Sequence, residues 1–153
     1  MRAILLLIIT LLAMPVMAEP PQGYPFHPFD KAMQQAQKEN KPLFIYFGRQ
    51  GCGYCDLTNK QAFSDKQVRE TYSKHYVLAY VDSESGKRLR LPSGERVTER
   101  ELGTRYNAFV TPVFTFMNID GQSLLRLVGV QRIVDLREAD TKVQLLLSKP
   151  AIP

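Results

Sequence analysis

Both cysteines of this 153-residue chain fall in one motif, Cys52-Gly53-Tyr54-Cys55. The motif follows the apolar run Leu43-Phe44-Ile45-Tyr46-Phe47 and the short turn Gly48-Arg49-Gln50-Gly51. It opens a segment, Asp56 to Phe63, that holds neither glycine nor proline. This order predicts a strand, a turn and a helix whose first residues carry a dithiol, and it argues for thiol–disulfide chemistry. The strand is apolar at every position, the pattern of a central strand covered on both faces.

The spacing has a direct physical meaning. A thiolate is the nucleophile in disulfide exchange, and a helix N-terminus offers it unpaired N–H groups and a positive dipole end. Thiols so placed titrate at roughly 3.5–7.5 rather than about 8.5. Cys52, at or before the first helical residue, is expected to attack. Cys55 lies three positions on, along the same helix face, and is expected to resolve the mixed disulfide. Arg49 is placed to add positive charge beside Cys52, although exposed loop arginines are commonly just solvated.

Blander readings of the two cysteines compete with this one. A structural zinc site needs four ligands, and the remaining candidates, His27 and His75, show no ligand spacing. Covalent haem attachment wants C-x-x-C-H, and residue 56 is Asp. A permanent structural disulfide stays open, but closing so short a loop restricts the unfolded chain little. No metal and no cofactor is expected.

The N-terminus sets an expected compartment. Arg2 precedes the apolar stretch Ala3 to Ala13, and Val16-Met17-Ala18 offers small or modest residues before a cleavage point. Residues 1–18 read as a secretory signal peptide, with an uncleaved anchor as the alternative. What remains suffices for one domain with one core. Export makes a disulfide-permissive setting, yet two cysteines do not make a disulfide scaffold. The net charge of +5 is spread along the chain, without a basic stripe interleaved with aromatics, so nucleic acid is not an expected partner.

Residues 19–28 carry Pro20, Pro21, Pro25 and Pro28 and read as an extended, mobile lead-in. Phe29, Ala32, Met33 and Ala36 recur at helical spacing up to the stop Asn40-Lys41-Pro42. Ser64-Asp65-Lys66-Gln67 reads as a capping box, opening a helix to about Lys74, and Tyr76 to Val81 reads as a second strand. Residues 83–97 form an insertion in which Leu89 and Leu91 alternate with Arg88 and Arg90 before the turn Pro92-Ser93-Gly94, so a small hairpin is expected. Lys87, Arg88 and Arg90 on that hairpin could lie near the active-site rim and steer an acidic partner, but the favoured reading is a solvated hairpin with no partner, since exposed charge runs are usually just that. Thr98-Glu99-Arg100-Glu101 is another capping box, followed by a helix to about Tyr106. Val113 to Met117 and Ser123 to Val128 form a hairpin across Asn118-Ile119-Asp120-Gly121, and Ile133 to Leu147 closes the chain as a helix.

That order, with the dithiol opening the helix after the first strand, resembles the thioredoxin superfamily. The resemblance covers roughly residues 29–148. A second stretch carries it too, Val110-Thr111-Pro112-Val113-Phe114 ahead of the antiparallel hairpin. The resemblance implies an α/β fold, a central mixed sheet flanked by helices, with a cis-proline at Pro112 facing the dithiol. Pro112, lacking an N–H, would leave adjacent backbone free to pair with an extended substrate. Gly53, Tyr54, Thr111 and Pro112 are the implied substrate-binding residues. Within the superfamily the chain is similar to the exported thioredoxin-like proteins of bacterial sulfur-oxidation systems, the SoxW type. The stretches concerned are Gly51 to Cys55, Ser93-Gly94-Glu95, Thr98 to Leu102, Thr111 to Phe114, Asp120-Gly121 and Arg126 to Gly129. This implies a periplasmic dithiol that reduces disulfides of other exported proteins and is recharged by a membrane thiol electron donor.

Two departures stand out. Thioredoxins carry a buried aspartate where this chain has Tyr46, and their partner lysine in the next strand is replaced by Leu78 or a neighbour. Deprotonation of Cys55 then falls to water, a backbone group or an acid such as Glu70 or Asp82. Gly-Tyr between the cysteines also replaces Gly-Pro and matches the bacterial disulfide isomerases. An oxidase or isomerase using the same site, and a binding module for exported partners, therefore remain alternatives.

Overall fold

The computed structural model describes residues 19–149, so the signal-peptide reading of residues 1–18 lies outside the described residues. The elements run β1 (Phe26–Pro28), α1 (Phe29–Glu39), β2 (Leu43–Gly48) and α2 (Gly53–Thr58), which continues as one π-helical turn over Asn59–Phe63. Then come α3 (Lys66–His75), β3 (Val77–Asp82), β4 (Arg88–Arg90), β5 (Arg96–Thr98), α4 (Glu99–Arg105), β6 (Val113–Met117), β7 (Ser123–Val128) and α5 (Ile133–Ser148).

β2 is buried at every position, as its unbroken apolar run requires. It lies in the middle of a five-stranded sheet of order β1-β3-β2-β6-β7. β3 pairs parallel with both β1 and β2, while β6 and β7 run antiparallel. Alternation along β2 sorts its side chains into two cores. Phe44 and Tyr46 join Phe63, Tyr72, Tyr76, Phe114, Phe116 and Leu136, under α2, α3 and α5. Leu43, Ile45 and Phe47 join Phe29, Ala32, Ala36, Leu102 and Met117, under α1 and α4. This is the thioredoxin-like α/β architecture that the sequence implied.

The helix ends follow local chemistry. Asn40 ends α1 with a left-handed φ of 52°, its N–H donating to the Ala36 carbonyl. Thr98 and Glu101 form the expected reciprocal box at α4. The box expected at Ser64 does not form. Ser64 is still helical, its hydroxyl donating to the Lys60 carbonyl, and Asp65 on extended backbone caps α3 by accepting the Val68 N–H at 2.8 Å.

The hairpin in the insertion is present as β4 paired with β5. Leu89, Leu91 and Val97 are buried, so the insertion is part of the second core. The lead-in is extended but does not hang free. Phe26, His27 and Pro28 pair with Leu78, Ala79 and Tyr80 as an edge strand, a position where proline's missing N–H is tolerated. Tyr24, only 9% exposed, packs edge-on against Phe63 with ring centroids 5.3 Å apart.

The Tyr24 hydroxyl is buried without a hydrogen-bond partner among the described residues. Tyr24→Phe should therefore leave the unfolding free energy from urea titration unchanged or raise it by about 1 kcal/mol, since an unsatisfied polar atom is removed. Tyr24→Ala should cost about 3 kcal/mol. Losses under 0.5 kcal/mol in both would mean that the lead-in contributes nothing to the core.

Candidate active site

β2 and β6 are antiparallel neighbours, with Phe47 opposite Val113. The C-terminal end of β2 and the N-terminal end of β6 therefore lie side by side, and the loops beyond them meet. Gly48 lets the chain leave β2 past Tyr80, because a Cβ there would collide with the Tyr80 hydroxyl. The turn over Arg49 to Gly51 then delivers Cys52 as the N-cap of α2.

Cys52 and Cys55 are joined as a disulfide, with Cα atoms 5.2 Å apart, and both are buried. Cys52 Sγ accepts the Cys55 N–H at 3.2 Å and the Thr111 hydroxyl at 3.1 Å. Two donors on one sulfur favour its charged form once the disulfide opens. The Thr111–Pro112 peptide bond is cis. The Pro112 carbonyl is not free for a partner, because it accepts the Gly129 N–H at 2.9 Å. Thr58 anchors the other side of the helix. Its hydroxyl donates to the Tyr54 carbonyl and accepts the Gln131 N–H.

Behind the disulfide stands Tyr46, fully buried, its hydroxyl donating to Asn59 Oδ1 at 3.1 Å and pointing to the Cys55 carbonyl at 3.5 Å. Core packing alone does not describe it. The residue opposite Tyr46 on β3 is Tyr80 rather than Leu78, which pairs with Phe44. Burial pushes both phenols well above their ordinary range; Tyr80, once ionised, and Asp56 push Tyr46 further the same way. Neither phenol ionises near neutral pH. The acids expected to serve Cys55 are engaged elsewhere. Glu70 pairs with Lys66 on the exposed side of α3, and the Asp82 carboxylate accepts the Glu84 N–H.

The disulfide opens onto a cleft of about 870 Å³. Tyr54, Leu57, Phe109 and Val110 give it an apolar rim, and Phe109 and Tyr54 are 73% and 67% exposed. Arg49, Asp56, Lys60 and Glu84 supply its charges. From the insertion only Glu84 reaches the cleft, held 3.7 Å from Arg49. Lys87, Arg88 and Arg90 do not line it, which goes against the basic-rim alternative and fits the solvated hairpin: β4 turns its leucine into the core and its arginines to solvent. Of the implied substrate-binding residues, Gly53, Tyr54 and Thr111 line the cleft with Cys52. Sequence reasoning missed Phe109, Leu57 and Asp56. The available signal was an apolar pair, Phe109-Val110, in a loop with no core position to fill.

A helix-borne dithiol beside a threonine–proline turn, on this sheet, defines a thioredoxin-fold protein with the site of a thiol–disulfide oxidoreductase. Residues 29–143 match the thioredoxin-like domain family, and the chain belongs to it. It is similar to a thioredoxin from Thermus thermophilus, with a TM-score of 0.63 and 25% identity over 82% of this chain and 88% of that one. A DsbH oxidoreductase shares the fold, with a TM-score of 0.63 and 16% identity over 86% of this chain and 90% of the other. So does the C-terminal domain of Neisseria meningitidis DsbD in its reduced form, with a TM-score of 0.57 and 20% identity over 73% and 90%. Human spermatogenesis-associated protein 20 is 31% identical over 65 residues, which are 42% of this chain and 8% of that protein. The match thus spans under a tenth of that curated relative's length.

The buried phenols make a pH prediction. A tyrosine whose folded-state titration lies above its unfolded value of about 10 binds its proton more tightly when folded. Its contribution to stability is fully present below pH 10 and is lost as pH rises further. Tyr46, Tyr72 and Tyr76 are all raised, chiefly by burial. Alkaline unfolding should therefore begin above about pH 10, and the phenolate absorbance of these residues should rise together with loss of far-UV signal. Full phenolate absorbance in a still-folded chain would contradict their burial.

Proposed function

We propose that this protein is a periplasmic thiol–disulfide oxidoreductase that reduces disulfides of exported proteins through Cys52 and Cys55. The observation that carries the reading is Cys52 Sγ, held by the Cys55 N–H and the Thr111 hydroxyl at the floor of an open cleft. The signal-peptide pattern of residues 1–18 and the likeness to the SoxW type support export and this client class. Among the described residues no helix is long and apolar enough to cross a membrane.

In the reduced protein the Cys52 thiolate attacks one sulfur of a client disulfide. The client S–S bond breaks, its other sulfur leaves as a thiolate, and a mixed disulfide remains. The Cys55 thiol loses its proton and attacks Cys52 Sγ. The mixed disulfide then breaks, the second client thiolate leaves, and both client sulfurs take protons from water. Two electrons have passed to the client, and a membrane protein's dithiol would restore the pair. The apolar rim of Tyr54, Leu57, Phe109 and Val110 suits an extended client segment whose cysteine is flanked by apolar side chains. The same rim also suits a binding module without turnover, the second reading.

An insulin-reduction assay separates the two. Wild type should accelerate reduction and Cys52→Ser should abolish it. Cys55→Ser should accumulate stable mixed disulfides with exported proteins, whereas Cys52→Ser should accumulate few. No turnover by wild type would favour the binding module, and preferential trapping by Cys52→Ser would reverse the roles of the cysteines. Phe109→Ser should raise KM for a protein client roughly tenfold while leaving reduction of a small disulfide unchanged, as loss of a buried aromatic contact predicts.

A further inference from the structure

Net reduction requires that the dithiol yield its electrons readily, and the cleft holds a charge suited to that. We infer that Asp56 sets the direction of exchange: its carboxylate stands one helical turn beyond Cys52, without an ion-pair partner among the described residues, and disfavours the reduced, ionised dithiol relative to the neutral disulfide. The inference rests on the reading of Cys52 as the attacking thiolate.

Asp56 is the acidic residue in the first turn of α2, and its N–H donates to the Cys52 carbonyl at 3.1 Å. It lines the cleft together with Cys52 and Gly53. The other charges there are Arg49, Lys60 and Glu84. Arg49 and Glu84 lie 3.7 Å apart and largely cancel each other. Lys60, four residues after Asp56, makes no ion pair with it within 4 Å among the described residues, so it offsets the carboxylate only through solvent. The charge is felt in the core beneath the dithiol: burial chiefly raises the titration of Tyr46 and Tyr80, and Asp56 adds a smaller push in the same direction.

The sign follows from charge alone. Opening the disulfide with two electrons creates an anion on Cys52 near neutral pH, while the disulfide is uncharged. A carboxylate nearby raises the energy of the first state and leaves the second unchanged, so electrons pass more readily to a client.

The test equilibrates wild type, Asp56→Asn, Asp56→Glu and the remote control Glu70→Gln with reduced and oxidised glutathione. It also titrates the Cys52 thiolate by its ultraviolet absorbance. Asp56→Asn should shift the equilibrium toward the reduced protein by about three- to tenfold, tenfold being about 30 mV for a two-electron couple. Its Cys52 titration should fall by roughly 0.5–1 unit. Asp56→Glu, which keeps the charge, and Glu70→Gln should both behave as wild type. The difference between wild type and Asp56→Asn should shrink at 1 M salt, where the Debye length is about 3 Å. A redox-active wild type with an unchanged equilibrium in Asp56→Asn would overturn this inference and leave the proposed function standing. An equal shift in Asp56→Glu would overturn it too, by pointing to side-chain packing instead of charge. A wild type inert toward glutathione and insulin would remove the proposed function, and this inference with it.

Discussion

The hydrogen bonds that meet on Cys52 Sγ depend on nearly every other feature of the fold. One comes from the helix that the cysteine itself caps and the other from Thr111, distant in sequence. They converge because β2 and β6 are antiparallel neighbours, which sets the exit of one strand beside the entrance of the other. That pairing in turn needs β2 at the centre, and β2 is central because only two covering layers can bury six consecutive residues. The chemistry of the sulfur thus rests on the apolar run before it.

The helix behind the dithiol is fastened in an unusual way. It changes from α to π at Asn59, and the Tyr46 hydroxyl sits at that change, bonded to Asn59 Oδ1 and facing the Cys55 carbonyl. A π turn adds a residue per turn and leaves backbone groups that need other partners. Here a phenol from the sheet serves that need, while Ala62 and Phe63 rotate into the core and Phe63 stacks on Tyr46 at 5.6 Å. A neutral donor replaces an ionisable one beneath the site. Charges that act on the dithiol therefore come from the solvent side.

Much of this was legible before the structure. Periodicity and turn residues placed the sheet strands and the flanking helices, because strands buried on both faces and amphipathic helices leave unambiguous patterns. The dithiol and Thr111-Pro112 were legible because their residue types are rare in combination. Three things were not. Prolines at 20–28 signal extended backbone but not whether it pairs, and pairing is decided by the exposed edge of β3. Ser64 and Asp65 both satisfy a capping pattern, and the choice between them was made by the length of the preceding π turn. A basic rim stayed open for the hairpin because sequence gives its charge without its direction, whereas Leu89, Leu91 and Val97 fix it over the second core.

The cleft combines features that pull in different directions, and their balance bears on the clients it can accept. Exposed apolar side chains at Tyr54, Leu57, Phe109 and Val110 cost solubility and are retained only where something covers them. Apolar contact is tolerant of sequence, so under the proposed function this rim would favour accessible, extended segments over a particular motif. Glu84 and Arg49, by pairing with each other, remove the long-range field that would steer one class of charged partner. What remains is Asp56 one turn beyond Cys52, Lys60 a further turn along, and an apolar rim. Such a surface would discriminate between disulfides by their exposure more than by the charge around them, which is what the proposed function would require of it.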